Sequence, residues 1–442
     1  MAATDRRRGL FSRVDIASLV FFRIAIGAIV LCEVTRYFVH GWIARYYIDP
    51  SFHFTYYGFG WVRPWPAAWM YVHFALLGAA AVAVIAGYYY RIAAVVMWAL
   101  FTYVFLLDQA RYLNHFYLLS LFTFLLACVP AHRAWSLDAR RAPGMRSDTA
   151  PAWALWIVRF QVAVPYLFAA IAKLNADWLA GEPLRAWLHA PRGWIPLVFA
   201  YGGIAFDASI VPLMLWRRTR PYAFAAAVVF HTTNATTFQI GVFPALMICA
   251  TAMFFEPDWP RSAWAWLRNR ANVNPAPIAA DPMILDEGRR RFILAAVVAY
   301  ACLQVLVPLR HWCYPGDVNW TDEGHRFSWR MKLRDKDATV AFVARDRRTG
   351  AQTLVDPRRF LTDWQLEAMS SRPDMILQFA HHIAASEPGA VSVSAVAWAS
   401  LNGHPLRPLI DPDVDLAAEA RTLRPAHWII REPGGSGVAA RP

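Results

Sequence analysis

Residues 153–173 read WALWIVRFQVAVPYLFAAIAK, a run of apolar side chains that ends in a lysine. About 20 consecutive apolar residues are enough to cross the hydrocarbon core of a bilayer as one helix. The stretch therefore predicts a membrane-spanning helix over 153–172, with Lys173 at its end.

Lys173 is unusual because the chain uses arginine almost everywhere else. Of its 44 Lys and Arg residues, only Lys173, Lys332 and Lys336 are lysines. Arginine stays protonated in proteins, whereas lysine can lose its proton when it is removed from water. A lone amine at the edge of a membrane span is therefore a candidate base. The commoner explanation for an isolated lysine is an interfacial side chain that reaches out to water.

The rest of the composition is also that of an integral membrane protein. Of 442 residues, 57% are hydrophobic and only 17% are charged, which excludes an ordinary soluble enzyme. The net charge of +13 is spread between the apolar runs, and in a membrane protein such charge indicates basic cytoplasmic loops. We therefore expect a lipid membrane as a partner and no nucleic acid.

The apolar stretches predict about nine transmembrane helices. They lie near 18–38, 69–87, 92–107, 112–129, 153–172, 196–216, 221–237, 240–255 and 292–308. With the N-terminus in the cytoplasm, the inside segments hold 18 Lys and Arg residues and the outside loops hold 6. This asymmetry predicts a multi-pass protein of the cell (cytoplasmic or inner) membrane, with the C-terminus on the outer side.

The last part of the chain, from 309 to 432, changes character. Alternating patterns at 339–343 and 391–396 predict strands, and helical patterns lie between them near 358–370 and 373–386. The predicted fold class is therefore a membrane α-helical bundle at 1–308 with a small extramembrane α+β domain at 309–432. Residues 433–442 begin with a Gly-rich run and predict a disordered tail.

In this topology, the unusual polar side chains of the apolar stretches fall on the outer side. They are Asn114, His115, Lys173, His231 and Asn234. Ionisable groups at membrane depth are costly and usually face the bundle interior or a cavity. The resulting hypothesis is a cavity that opens outward.

Each of these residues also has a purely structural explanation. His115 or His231 could hydrogen-bond a neighbouring helix or a backbone carbonyl. Asp207, inside the sixth stretch, could pair with Arg23 or Arg159 and serve packing alone. The five Cys residues show no CxxC or Cys/His spacing, so we expect no metal.

The segment Ala172-Lys173-Leu174-Asn175-Ala176-Asp177-Trp178 resembles the lysine segment of the vitamin K-dependent γ-glutamyl carboxylases. Other segments match in the same order along nearly the whole chain. They include 114–118, 202–207, 230–234, 240–243, 257–261, 319–321, 327–329, 348–350 and 411–415. The chain is similar to the bacterial-type, HTTM-domain members of that family.

The resemblance implies a membrane carboxylase with a coupled epoxidase. In the family, a neutral lysine removes a proton from reduced vitamin K, and the anion reacts with O2 to give a strong base. That base takes the γ-proton of a Glu side chain, and the carbanion adds to CO2. By motif match, Lys173 is the lysine and His115 assists the carboxylation step. The implied residues of the quinol pocket are Asn114, Trp178, His231 and Asn234.

The implied partners are an isoprenoid quinol and an exported Glu-containing peptide or protein, and no metal is required. Two departures from the family stand out. The outer region is shorter than in the vertebrate enzymes, so propeptide-directed modification is not expected. Their Ser-Trp-Asp reads Ser328-Trp329-Arg330 here, and Trp320, Trp329 and Arg330 are the implied substrate contacts. The arginine bias indicates a bacterial source and favours menaquinone hydroquinone over phylloquinone hydroquinone.

Two other functions stay open. The protein could oxidise or epoxidise the quinol without carboxylation, because that half of the chemistry rests on Lys173 and a membrane pocket alone. It could also be a non-catalytic transporter or scaffold with an outer domain. The sequence shows no inverted repeat and no matching pair of broken helices, which argues against a transporter.

Overall fold

A computed structural model gives the structure of the chain and describes residues 9–188, 193–238, 240–268, 285–387 and 389–431. The predicted disordered tail at 433–442 lies outside the described residues. Helices make up most of the chain up to residue 321, and a four-stranded sheet with two further helices follows.

Helices occupy all nine apolar stretches that the sequence marks. In chain order, the helices are α1 (Ala17–Val39), α2 (Ala67–Ala86), α3 (Tyr90–Leu106), α4 (Asn114–Cys128), α5 (Leu137–Arg141), α6 (Ala152–Ala172), α7 (Ala176–Ala180), α8 (Glu182–Trp187), α9 (Ile195–Leu215), α10 (Arg220–Thr237), α11 (Phe243–Thr251), α12 (Trp259–Leu267), α13 (Glu287–Leu309), α14 (Val318–Thr321), α15 (Asp363–Ser370) and α16 (Pro373–Ser386).

Not all of these helices are long enough to cross a membrane unaided. Within the described ranges, five are long and apolar enough, namely α1, α2, α6, α9 and α13 with its continuation to Cys313. Three shorter apolar helices, α3, α4 and α11 with its extension to Phe254, lie among them in the chain. The chain is therefore a multi-pass membrane protein, and the number of nine spans stays a prediction.

The apolar side chains of the bundle pack into one large core around α1 and α6. In each of these two helices 67% of the most apolar window is buried, against 11% in α13. α6 continues through Pro165 without ending there. Near the outer ends of these two helices, Glu33 of α1 and Lys173 at the end of α6 are buried in the protein.

Arg23, which is buried, and Arg159, which is half-buried, both donate to backbone carbonyls of the bundle. Arg23 in α1 donates to the carbonyl of Ala131 at 2.8 Å. Arg159 in α6 donates to the carbonyl of Met253 at 2.8 Å. The suggested pairing of Asp207 with either arginine is therefore wrong. Carbonyls at helix ends lack partners within their own helix, so they satisfy a buried guanidinium without a carboxylate.

The C-terminal domain, residues 309–431, is called the outer domain here, and it is built on an antiparallel sheet. The strands of the chain are β1 (Arg13–Asp15), β2 (Thr149–Pro151), β3 (Lys336–Asp346), β4 (Gln352–Val355), β5 (Val391–Leu401) and β6 (Arg407–Pro408). β1 and β2 form a separate short ribbon, and the outer sheet has the order β4-β3-β5-β6. The predicted strands at 339–343 and 391–396 are confirmed as parts of β3 and β5.

Two helices cover the buried face of this sheet. The predicted helix at 373–386 is confirmed as α16, whose Phe379 ring lies 5.1 Å from the Phe342 ring of β3. The predicted helix near 358–370 begins later, at Asp363. Thr362 caps it together with Gln365, which fixes the first turn.

The outer domain rests on two outer loops of the bundle. Phe54, between α1 and α2, is completely buried in the core of the outer domain. Asp108, between α3 and α4, contacts His53 and Gln365, each at 3.1 Å. These contacts hold the outer domain over the outer ends of the helices. The predicted domain boundary between 308 and 309 falls at the last residues of α13.

Candidate active site

A cavity of about 910 Å³ lies between the outer ends of the helices and the outer domain. Its walls come from α1, α4, α6, α9 and α10, and from the chain after α14. Six of the predicted site residues line it: Asn114, His115, Lys173, Trp178, His231 and Asn234. The structure thus brings together side chains that lie far apart in the sequence, while their chemical roles stay predictions.

Lys173 forms a buried ion pair with Asp207. Lys173 caps the C-terminal end of α6, and α9 packs beside α6. The Lys173 amine donates to the Asp207 carboxylate of α9. The exposed fractions of the two side chains are only 9% and 5%. A buried charge without a partner is strongly unfavourable, so each group depends on the other. The carboxylate holds the amine in place.

Asn175 sets the geometry around the Lys173 amine. Its amide donates to the carbonyl of Ala172 at 2.9 Å, and its carbonyl oxygen accepts from the backbone N–H of Trp178 at 3.0 Å. The side chain therefore joins the end of α6 to the start of α7. As a result, the Trp178 ring lies 5.4 Å from the Lys173 nitrogen, within cation–π distance.

His231, on α10, lies in a buried polar row and also lines the cavity. Its Nε2 is 2.7 Å from the Tyr166 hydroxyl, which is 3.1 Å from the Thr251 hydroxyl. Its Nδ1 is buried and has no hydrogen-bond partner among the residues that the structure describes. Buried polar atoms are rarely left unpaired, so this nitrogen marks a place for a hydrogen-bonding guest. Asn234, one turn further along α10, lines the same cavity.

Asn114 and His115 begin α4 at the edge of the cavity. The Asn114 amide donates to the backbone carbonyl of Arg330 at 3.2 Å, which ties α4 to the outer domain. The His115 ring lies 6.0 Å from the Phe243 ring. Its nitrogens form no hydrogen bond with the described part of the chain, so they can contact a molecule in the cavity.

The three predicted substrate contacts do not line the cavity. Trp329 is fully buried and stacks on Tyr117, with ring centroids 4.9 Å apart. Trp320 donates from its ring nitrogen to the carbonyl of Ile430 at 2.7 Å, inside the outer domain. Arg330 donates to the side chain of Asn319 at 3.0 Å. Trp320 and Arg330 thus make contacts inside the outer domain, whereas Trp329 packs in the core of the bundle. A direct contact of these residues with substrate stays a prediction.

Other charged residues on the cavity walls were not singled out as site residues from the sequence. They are Glu33, Arg36, Arg111, Asp207, Lys332 and Arg372. Lys332 could have been chosen as a candidate from the sequence, because it is one of only three lysines in an arginine-rich chain. The arginines could not, since arginine is common throughout the chain. Their convergence depends on how the outer loops and the outer domain fold over the bundle.

The cavity suits a mainly apolar molecule with polar ends. Its volume lies within the roughly 300–1,000 Å³ of ligand pockets. Aromatic rings line it beside the polar side chains of Lys173 and His231. Among the described residues, no group of three or more His, Cys, Asp or Glu side chains could hold a metal ion. That the reaction needs no metal stays a prediction.

Comparison with known families defines first the class and then the family. The family model of the HTTM domain matches residues 11–259, more than half of the chain, so this is an HTTM-domain membrane protein. The model of the vitamin K-dependent gamma-carboxylase lumenal domain matches residues 289–434. The chain belongs to the vitamin K-dependent gamma-carboxylase family.

The resemblance seen in the sequence is thereby confirmed. The family implies the use of reduced vitamin K, and its domains indicate a carboxylase-type enzyme. The match to a lumenal domain implies that the C-terminal domain lies on the topologically outer side. No solved structure matches the chain.

Proposed function

We propose that the protein oxygenates a reduced vitamin K-type quinol to its epoxide and thereby carboxylates Glu side chains of an exported peptide or protein. The proposal rests on the Lys173–Asp207 pair on the wall of a cavity that also contains His115 and His231. When bound, the quinol would supply the oxygen chemistry that no side chain can perform. We place the site on the outer side of the cell membrane, with the N-terminus in the cytoplasm.

Lys173 takes and holds a proton in this proposal. Its neutral amine accepts the proton, and the adjacent Asp207 carboxylate holds the amine at the cavity wall. Arginine could not serve, because its guanidinium does not give up its proton in proteins. Asp207 is therefore a positioning residue, and Lys173 is the catalytic base.

The surrounding residues orient the guest and limit the access of water. His231 offers its unpaired Nδ1 to a polar group, while Tyr166 holds its other nitrogen. His115 faces the cavity from α4 and assists the carboxylation step. The outer domain covers the cavity through the bond between Asn114 and Arg330. A strong base needs such a dry site, since water would otherwise quench it.

The test uses purified protein in lipid nanodiscs with chemically reduced menaquinone, O2, labelled bicarbonate and a short Glu-containing peptide. Wild-type protein should yield both the quinone epoxide and labelled peptide. Lys173→Ala and Lys173→Arg should yield neither at a temperature where thermal melting shows both to be folded, although Lys173→Ala, which leaves the buried Asp207 unpaired, should melt earlier. Activity retained in both variants would remove Lys173 from the mechanism.

The runner-up function is quinol epoxidation without carboxylation. It is favoured by one observation: Trp320, Trp329 and Arg330, the implied substrate contacts, are buried outside the cavity walls. The same assay separates the two functions. Epoxide that depends on Lys173, with no label in any Glu-containing peptide offered, would establish the epoxidase and remove the carboxylase.

A further inference from the structure

A short segment of the outer domain, residues 330–333, crosses the outer end of the cavity and is called the strap here. At one end, the backbone carbonyl of Arg330 accepts a hydrogen bond from Asn114 at the start of α4. At the other end, Leu333 is buried in a cluster with Ala172 and Trp178, beside the catalytic lysine. The strap therefore joins the wall that carries His115 to the wall that carries Lys173.

The side chain of Lys332 is the cation that the strap presents to the cavity. Its nitrogen lies 5.7 Å from the Trp187 ring and 5.6 Å from the Phe238 ring, and both rings line the cavity. Its backbone has φ +47°, an uncommon conformation for a residue with a side chain. Such conformations persist where the surrounding structure imposes them, and they cluster at functional sites.

Aromatic rings attract the Lys332 ammonium but do not neutralise its charge. Among the described residues, no carboxylate lies within ion-pair distance of its nitrogen. The side chain remains exposed and free to meet a guest molecule. By contrast, Arg330 already donates to Asn319 and is buried. Arg330 and Lys332 both follow the Ser328-Trp329 segment, and of these two Lys332 is the one whose charge is free to bind a ligand.

The charges on the cavity walls do not balance. The cations are Arg36, Arg111, Lys173, Lys332 and Arg372, and the carboxylates are Glu33 and Asp207. Glu33 pairs with Arg36, and Asp207 pairs with Lys173. Three cations are left without a carboxylate partner in the described parts of the chain, and all three belong to the outer loops or the outer domain.

The two remaining arginines have no anionic partner of their own. Arg111 lies over the Tyr46 ring at 3.8 Å, and its Nε is buried without a hydrogen-bond partner among the described residues. Arg372 donates to the carbonyl of Ala368 at 2.6 Å. Burial lowers the pKa of Arg372 to about 10, which still leaves it protonated at neutral pH. The outer end of the cavity is therefore an anion-binding region.

We propose that Lys332 binds the carboxylate of the acidic side chain to be modified, with Arg111 and Arg372 supplying further positive charge. This inference rests on the proposed function and names the group that selects its substrate. Carboxylation turns a side chain with one negative charge into one with two. A region with three unpaired cations can bind both the substrate and the product. The proposal concerns binding and leaves the covalent step to the residues around Lys173.

The test measures binding and turnover separately. Two peptides that differ only in Glu or Gln at one position are titrated into the full-length protein in nanodiscs, and binding is followed by tryptophan fluorescence. Wild-type protein should favour the Glu peptide by roughly tenfold or more, a difference of about 1.4 kcal/mol. Lys332→Gln should lose this preference, and Lys332→Arg should retain most of it. In the turnover assay, Lys332→Gln should raise KM for the Glu peptide more than it lowers kcat.

Arg348→Gln provides the matched control, because it removes the same charge from an exposed turn between β3 and β4. It should leave the Glu preference and KM unchanged. A wild-type protein with no Glu preference, or an undiminished preference in Lys332→Gln, would overturn the proposal. Binding is measured without quinol, so the two proposals can fail separately. A Lys332-dependent preference for the Glu peptide in a protein that forms no epoxide would contradict the proposed function and support this inference.

Discussion

The described residues contain two buried Lys–Asp pairs, one in the bundle and one in the outer domain, and of these only the bundle pair lines the cavity. Lys173 and Asp207 lie on a cavity wall. Lys336 lies against the Asp322 carboxylate at 3.0 Å and also donates to the carbonyl of Trp320. Neither Lys336 nor Asp322 lines the cavity.

The difference lies in the partners of each amine. Asp322 is shared by Lys336 and Arg334, so one carboxylate compensates two cations in a closed cluster. The Lys173 amine has one carboxylate partner and an aromatic neighbour, Trp178. A closed cluster stabilises a fold, whereas a pair beside a cavity can exchange a proton with a guest. Residue type and burial alone do not distinguish a catalytic amine from a structural one.

The largest effect is expected for Lys173→Arg. General-base catalysis contributes roughly 10²–10⁴-fold to a rate, so turnover should fall by about that factor with little change in melting temperature. Lys336→Arg is the matched variant in the closed cluster, and it should lower the melting temperature while the folded fraction keeps its turnover. Equal losses of turnover in Lys173→Arg and Lys336→Arg would contradict the different roles assigned to the two Lys–Asp pairs.

Asp322→Asn tests the closed cluster directly. The change leaves the buried cations Lys336 and Arg334 without their carboxylate, which should cost about 3–5 kcal/mol of unfolding free energy. Denaturant unfolding followed by tryptophan fluorescence measures this loss. Asp413→Asn, an exposed position, is the control and should change stability little. A stable Asp322→Asn variant would show that the cluster does not hold the outer domain.

The same cluster predicts how stability depends on pH. Burial opposes ionisation of Asp322, but Arg334 and Lys336 outweigh it and hold the pKa of Asp322 well below its ordinary 3.8. Its contribution is fully present above pH 3.8 and is lost as the pH falls towards the folded-state pKa. The stability difference between wild type and Asp322→Asn should therefore narrow below about pH 4. A constant difference from pH 7 to pH 3 would contradict this assignment.

Asp207→Asn should have a smaller effect on turnover than the loss of Lys173 itself. The amine remains, but the carboxylate that positions it is gone. We expect a fall in kcat of roughly tenfold, or about 1.4 kcal/mol of transition-state stabilisation. Asp207→Glu should recover part of the rate, because it restores the charge. Recovery by Asp207→Leu would show instead that the residue serves packing alone.

The smallest effect is expected at a contact between the bundle and the outer domain, at Asp177, four residues after Lys173. His404, after β5, has its Nε2 3.3 Å from the Asp177 carboxylate at an exposed position. His404→Ala removes this one contact on the protein surface, so it should cost about 1 kcal/mol or less. Thermal unfolding measures this change, and turnover should follow stability. A large loss of turnover without a loss of stability would mean that this contact positions Lys173.

The sequence predicted the long helices, two of the strands and six of the residues that line the cavity. Long apolar runs and alternating patterns depend on local chemistry, so they can be read from the chain. Lys173 and its neighbours were found by the same kind of reading, aided by the family resemblance. Asp207 was noticed but assigned to the wrong partners, because helix packing determines which buried charges meet.

The substrate contacts were harder to predict. The resemblance pointed to Trp329 and Arg330, yet the structure turns the chain so that Lys332, two residues further on, faces the cavity. Positive φ angles at Trp329 and Lys332 produce these turns, and neither residue is a glycine that would have signalled them. A contact that depends on such local backbone conformations cannot be read from residue order.

The strap also determines when the site is completed. Lys173 and the histidines of the cavity are synthesised and inserted early, whereas residues 330–333 follow α13, late in the chain. If the outer domain is translocated as the family match implies, the cavity acquires its cover only on the far side of the membrane. A nascent or cytoplasmically retained chain would hold the lysine in an open, wet site. If Lys173 is the base of the proposed function, biosynthesis itself would thus keep it inactive until the protein has reached its destination.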